Sequence, residues 1–381
     1  MNHYVTGKTA TIIVAAALLT RVAMAAPDAS SAPLSCNHAV VSGQVHCDAN
    51  VVAAAPNVPL ISTAPLGYGP TQFHAAYNMP ISATKPVTVA VVAAYHDPAI
   101  AADLRTYDAT YKLPDPPKFQ QMSQRGTSSF PTVDAGWALE ESMDVEMVHQ
   151  MCQNCSLLLV EADSASTSSL MAAIDMAVTQ GATVISNSWG GSESSSDVRS
   201  SSHLQHAGVT VVASAGDEGY GVEFPAASPA VVAAGGTTLR VASSGGRSSE
   251  VAWADGGSGC SRFETKPAWQ YDKGCAGRTV ADIAADADPA TGAAIYDSTT
   301  YQGRKGWFVL GGTSLSTPLV AGMYGPAGSG KGPAVLYQHQ TALYDITNGR
   351  NGSCKTYLCS SGSGYDGPTG LGSPLGLAAF H

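Results

Sequence analysis

Near the C-terminal end, the residues Gly311-Gly312-Thr313-Ser314-Leu315-Ser316-Thr317-Pro318 set a hydroxyl behind two glycines and ahead of an apolar run. This pattern places Ser314 at the mouth of a helix, as a nucleophile. A serine hydroxyl is inert unless a neighbouring group takes its proton. The chemistry open to the chain depends on what that group is.

Histidine is the usual partner, and the chain has 10. His3 lies in an N-terminal leader, and His38 and His46 lie in the segment that follows it. His74, His203, His206, His339 and His381 stand in ordinary polar contexts, and His96 follows an apolar run in Tyr95-His96-Asp97-Pro98. No His-Gly-Thr-His pattern occurs. Each histidine is expected to be solvated or to cap an element.

The stretch Trp137–Met151, WALEESMDVEMVHQM, offers a different base. At roughly 100° per residue from Glu140, Asp144 falls about 40° away. Met143, Met147, Val148 and Met151 lie within about 80° on either side, while Glu146 and His149 point the other way and Glu141 sits at the boundary. Two carboxylates therefore share one apolar helix face. Like charges at this spacing repel, and burial disfavours ionisation, so the pair is expected to share a proton. The helix alone leaves two readings open: carboxylates that satisfy a buried Arg or backbone groups, or a catalytic base. The serine motif and the lack of a suitable histidine favour the second, with Glu140 taking the Ser314 proton and Asp144 holding Glu140. At pH about 4 a histidine is almost wholly protonated, whereas a carboxylate is about half ionised.

The composition agrees with acidic surroundings. Lys+Arg number 19 against 29 Asp+Glu, for a formal net charge of -10, so the basic footprint of a nucleic-acid binder is absent. With 381 residues, 44% of them hydrophobic, the chain can bury a large core. Residues 1–25 read as a secretory signal, with Lys8, an apolar stretch from Ala10 to Leu19, and Ala23-Met24-Ala25 as the cleavage site. A secreted or periplasmic protein without a membrane span is expected. The 8 cysteines fall into near pairs, Cys36/Cys47, Cys152/Cys155, Cys260/Cys275 and Cys354/Cys359, which predicts four short-loop disulfides. Cys152-Gln153-Asn154-Cys155 has metal-ligand spacing, but no second pair accompanies it, which argues against zinc.

These side chains need a scaffold. Val87–Ala94, Leu157–Val160, Thr183–Ser186 and Val209–Ala213 read as strands, and stretches around Ser168–Thr179 and Val198–Ala207 read as helices. Alternation of this kind predicts a parallel sheet with its chemistry at the strand exits. Ser186–Gly190, Ser214–Gly219 and the loop before Ser314 all lie at such exits.

With these residues in hand, the chain resembles the sedolisins, serine-carboxyl peptidases, over about residues 66–381. Glu140 and Asp144 match the family's E-x-x-x-D helix, and Gly311–Pro318 matches its S-G-T-S-x-S-x-P motif, with Gly311 in place of the leading Ser. The resemblance implies a subtilisin-like α/β fold, a mostly parallel sheet flanked by helices on both faces in a single catalytic domain. It implies acid-active endopeptidase chemistry on protein or peptide substrates, without nucleic acid or membrane and in a monomer. The stretch ASAGDEG resembles the family's S-G-D-x-G and would put Asp217 in the oxyanion hole, whereas its local sequence alone reads as a turn. A carboxyl group can serve there only when protonated. ISNSWGG at 185–191 resembles the strand that receives substrate, implicating Ser188, Trp189 and Gly190. The acidic stretch ADIAADADPATG at 281–292 is also family-like; read alone it is a solvated turn or an ion site, with no catalytic role.

The resemblance further implies one structural Ca2+ in a loop over about 345–374. The ligands would be Asp345, the carbonyls of Ile346, Gly362 and Gly364, and Asp366; composition alone makes this a glycine-rich turn. Sedolisins carry a large N-terminal prodomain, whereas here only residues 26–65 lie between the leader and the matching region, as a short pro-like segment. Two alternatives stand beside the acid peptidase: a neutral, subtilisin-type peptidase, which needs a histidine at Ser314, and an inactive peptidase-like binding protein.

Overall fold

A computed structural model describes residues 1, 30–34, 36, 43–55, 58–83, 87–328 and 330–381. Apart from Met1, the expected leader at 1–25 lies outside the described residues.

Apolar runs rich in Val and Ala form the centre of an eight-stranded sheet. Its order is Arg247–Ala252, Val231–Val241, Thr210–Ser214, Val184–Asn187, Thr88–Ala94, Ser156–Ala162 and Phe119–Ser123, with Ile283–Asp286 added to Val231–Val241. All pairings are parallel except that of Arg247–Ala252. Strands with helices packed over them bury both side-chain rows, which is why they read as continuous apolar runs instead of alternating ones. The subtilisin-like α/β architecture is therefore present. The stretch expected as a helix over 198–207 is shorter, a single turn at Asp197–Ser200 followed by a 3-10 turn at Ser201–Leu204.

A second, antiparallel sheet joins Ser31–Pro33, Asn50–Ala55, Arg304–Gly311 and Ala293–Tyr301. Ser31–Pro33 and Asn50–Ala55 are thus built into the same body as the strand that leads to Ser314.

Two helices carry the site. Ala135–Met151 starts at Asp134, whose carboxylate accepts from Gly136 N and Trp137 N at 3.0 Å each, a cap worth about 1 kcal/mol. Thr313–Ala327 packs across it. Gly322 permits the close crossing, since a Cβ there would lie 2.6 Å from Met151 Cβ. The carboxylate helix departs from the expected one-faced pattern, for it is buried all round. Helix Ile100–Tyr111 and strand Ala293–Tyr301 cover its far side. Glu146, expected to face away, is buried and accepts from Tyr296 N at 3.1 Å. His149 is buried beside Asp108 at 3.3 Å.

The four disulfides join the expected pairs. The 281–292 stretch is internal instead of a solvated turn: Asp282 pairs with buried Arg278, and Asp286 accepts from Leu239 N at 3.1 Å and Thr291 Oγ1 at 2.8 Å.

Candidate active site

Strand Arg304–Gly311 turns into helix Thr313–Ala327 through Gly312, at φ 110°. This conformation favours glycine, and a Cβ there would strike Asp48 O, Ala49 Cα and Asp217. Ser314 occupies the first helical turn, where backbone N–H groups lack intrahelical acceptors. Its N–H donates to Asp48 O at 2.8 Å, and its hydroxyl donates to Ser188 O at 3.1 Å.

Glu140 and Asp144 project from the carboxylate helix into the same region, fully buried. Burial, then the negative charge of Asp144, pushes the Glu140 carboxyl well above the ordinary range, while the nearby Ser314 hydroxyl pulls it back. Neither Glu140 oxygen completes a hydrogen bond of ordinary geometry. Glu140 and Ser314 are adjacent, with the Ser314 hydroxyl directed to Ser188 O. Burial also raises Asp144, opposed by the Ser188 hydroxyl, which donates to its Oδ1 at 2.6 Å.

Asp217 lies at the exit of Thr210–Ser214, across Gly312 from Ser314. Its Oδ1 accepts from Thr313 N at 2.7 Å and Thr313 Oγ1 at 2.9 Å, and its Oδ2 accepts from Asn50 Nδ2 at 2.8 Å. Burial and the Asp48 charge raise it well above the ordinary range, against the pull of Thr313 and His46. These causes favour the neutral acid, the form able to donate to a developing oxyanion.

The structure thus brings Ser314, Glu140, Asp144 and Asp217 together. Ser188 sits among them: its hydroxyl holds Asp144 and its carbonyl accepts from Ser314. Trp189 is buried, with its indole N–H on Val92 O at 2.9 Å, while its backbone and that of Gly190 pair with Cys47 and His46. No histidine among the described residues bonds to Ser314. Sequence reasoning missed the cleft's N-terminal lining of His46, Asp48 and Asn50, and with it Glu223. His46, expected to be solvated, lies 3.2 Å from Asp48 Oδ1 and 3.8 Å from Glu223 Oε1. Burial alone would lower its pKa, but these two carboxylates push it up to about 10. The close Cys36/Cys47 pair was the one signal that this segment is ordered.

Apart from this cluster, Asp345 Oδ2 accepts from Gly364 N at 3.0 Å, and Asp366 Oδ2 accepts from Gly362 N at 2.9 Å. Burial, with a contribution from the Asp345 charge, raises Asp366 to about 7. Two carboxylates converging on one glycine-rich loop fit a hard cation that prefers oxygen ligands.

The subtilase-family profile (peptidase S8) matches residues 132–340. Kumamolisin of Bacillus sp. (strain MN-32) is 34% identical over 305 residues, covering 68% of this chain and 54% of that protein. The solved structure of Pseudomonas sedolisin, a serine-carboxyl proteinase complexed with two molecules of pseudo-iodotyrostatin, superposes with TM-score 0.70 at 28% identity, over 82% of this chain and 96% of that one. The chain belongs to the sedolisin family of subtilases. This sedolisin-family chain is also 35% identical over 202 residues to sedolisin of Pseudomonas sp. (strain 101), covering 44% of this chain and 33% of that protein. It spans about half the length of kumamolisin and a third of that of sedolisin.

Proposed function

We propose that this sedolisin-family protein is an acid-active serine-carboxyl endopeptidase, exported from the cell, that acts on protein or peptide substrates. The observation that carries the reading is the buried Glu140–Asp144 pair beside Ser314, with no histidine among the described residues bonded to that serine. In the singly protonated pair, Glu140 takes the Ser314 proton as Oγ attacks the substrate carbonyl carbon. Ser314 N–H and the protonated Asp217 donate to the oxyanion. The C–N bond then breaks, and Glu140 returns the proton to the leaving amine. Water, activated by the same carboxylate, hydrolyses the ester and frees Ser314. Ser188 keeps Asp144 oriented, and the backbone edge of Trp189 and Gly190 receives the substrate strand. Asp345, Asp366 and the carbonyls of Ile346, Gly362 and Gly364 would hold one Ca2+, which would offset the repulsion between the two carboxylates and stiffen the loop.

No helix among the described residues is long and apolar enough to cross a membrane. The test is cleavage of a denatured protein between pH 3 and 7 by the wild type, Ser314→Ala and Glu140→Gln. Acid-peaked cleavage abolished in both variants is expected. Cleavage that peaks at neutral pH and survives Glu140→Gln would contradict the assignment of the base.

A further inference from the structure

A second group of carboxylates lies on the far side of the carboxylate helix. The loop after strand Thr88–Ala94 supplies Asp97, the first turn of helix Ile100–Tyr111 supplies Asp103, and strand Ala293–Tyr301 supplies Asp297. All three are buried. One oxygen from each lies within 4.8 Å of an oxygen from each of the others. A Ca2+ ion bound at about 2.3–2.6 Å can reach all three at once.

Hydrogen bonds satisfy only part of this group. Asp97 Oδ1 accepts from Ala99 N at 2.8 Å and Thr299 Oγ1 at 2.9 Å, and its Oδ2 accepts from Ser142 Oγ at 3.4 Å. Asp103 Oδ2 accepts from Ser298 N at 2.8 Å and Ser298 Oγ at 3.0 Å. Asp297 Oδ1 accepts from Thr299 N at 2.7 Å. Asp297 Oδ2 is buried beside the other two carboxylates and accepts from nothing. Leaving a buried carboxylate oxygen without a donor is costly, and a cation ligated there would remove that cost.

The surroundings offer no other counter-charge. Among the described residues, no Lys or Arg forms an ion pair with Asp97, Asp103 or Asp297. His96, next to Asp97 in the chain, turns to Glu161 at 2.8 Å. Glu146 adds negative charge near Asp103 and Asp297, and Glu161 adds it near Asp97. Burial, with this mutual repulsion, pushes Asp97 up to about 6 and Asp297 up to about 8. In the cation-free chain, protons do the neutralising. Pro98 is exposed and Ser298 and Thr299 are half-buried, so the group lies just below the surface, within reach of solvent ions.

We propose that Asp97, Asp103 and Asp297 form a binding site for a hard divalent cation of the Ca2+ class, separate from the Asp345–Asp366 loop. Water and the nearby Ser298 and Thr299 hydroxyls complete its oxygen shell. The ion joins a loop, a helix and a strand that together cover the far side of the carboxylate helix. It therefore braces the element that carries Glu140 and Asp144 without touching the reacting atoms. The site does not depend on the peptidase reading, because metal content reports it directly.

The full chain carrying Ser314→Ala, which prevents self-digestion, is dialysed to equilibrium against radiolabelled Ca2+ at pH 7.5. The same is done after adding Asp345→Asn, and after adding Asp345→Asn with Asp103→Asn. One bound ion should survive Asp345→Asn and be lost when Asp103→Asn is added. A chain that holds no ion after Asp345→Asn, with unchanged near-UV circular dichroism, overturns the inference. Crystals of the Ser314→Ala chain grown with Mn2+ keep the test open should a variant fail to fold. An anomalous peak between the three carboxylates is expected. Peaks confined to Asp345 and Asp366, or no peak at all, overturn the site.

Discussion

At the scale of single residues, the account turns on which carboxyl groups keep a proton. In the proposed mechanism Asp217 donates, and burial with the neighbouring Asp48 charge favours its acid form. Asp217→Ala removes that donor and should lower kcat/KM by about 10²–10³-fold, with Ser314 N–H left as the remaining donor. Steady-state rates on a peptide at the pH optimum check this. Ser314, Glu140 and Asp144 could be singled out as candidates because a hydroxyl motif and a four-residue spacing are local properties. Asp217 could not, since a Gly-Asp-Glu-Gly turn looks the same whether or not it faces a nucleophile; only resemblance marked it. The bond from Ser188 to Asp144 was also invisible, because it links two elements through the third dimension.

At the scale of elements, the site is the crossing of two helices, and Gly322 sets their separation. Gly322→Val would press on Met151 and Val148, and overpacking of this kind costs about 1–3 kcal/mol. It should also move Ser314 relative to Glu140, so activity should fall further than stability. Urea denaturation beside kcat measurements separates the two. Strands such as Thr88–Ala94 and Ser156–Ala162 were legible from their apolar runs. The carboxylate helix was misread as one-faced because period counting assumes a solvent side, and here helix Ile100–Tyr111 and strand Ala293–Tyr301 take that side.

At the scale of the whole molecule, buried acidity ties stability to pH. Burial pushes Asp97 to about 6, and burial with the Asp97 charge pushes Asp297 to about 8. In the unfolded chain both return to about 3.9. The folded state therefore holds more protons, and this contribution is complete below about pH 4 and lost as the pH rises through about 6 and then 8. In the cation-free chain Tm should fall between pH 5 and 9, and Asp297→Asn should flatten the fall. An unchanged slope in that variant would contradict the assignment. The α/β body was legible from alternating strands and helices. The place of His46, Asp48 and Asn50 in the cleft was not, because a strand that pairs across a cleft carries no periodic signal of its own and takes its register from distant edges.

The most direct test of the central claim, that a carboxylate pair activates Ser314, is the burst of acyl-enzyme formation with an ester substrate from pH 3 to 7 in the wild type and Glu140→Gln. The account predicts an acid-peaked burst in the wild type, reduced by about 10²–10⁴-fold in Glu140→Gln. A burst that grows toward neutral pH with a histidine-like midpoint, and persists in Glu140→Gln, would contradict it.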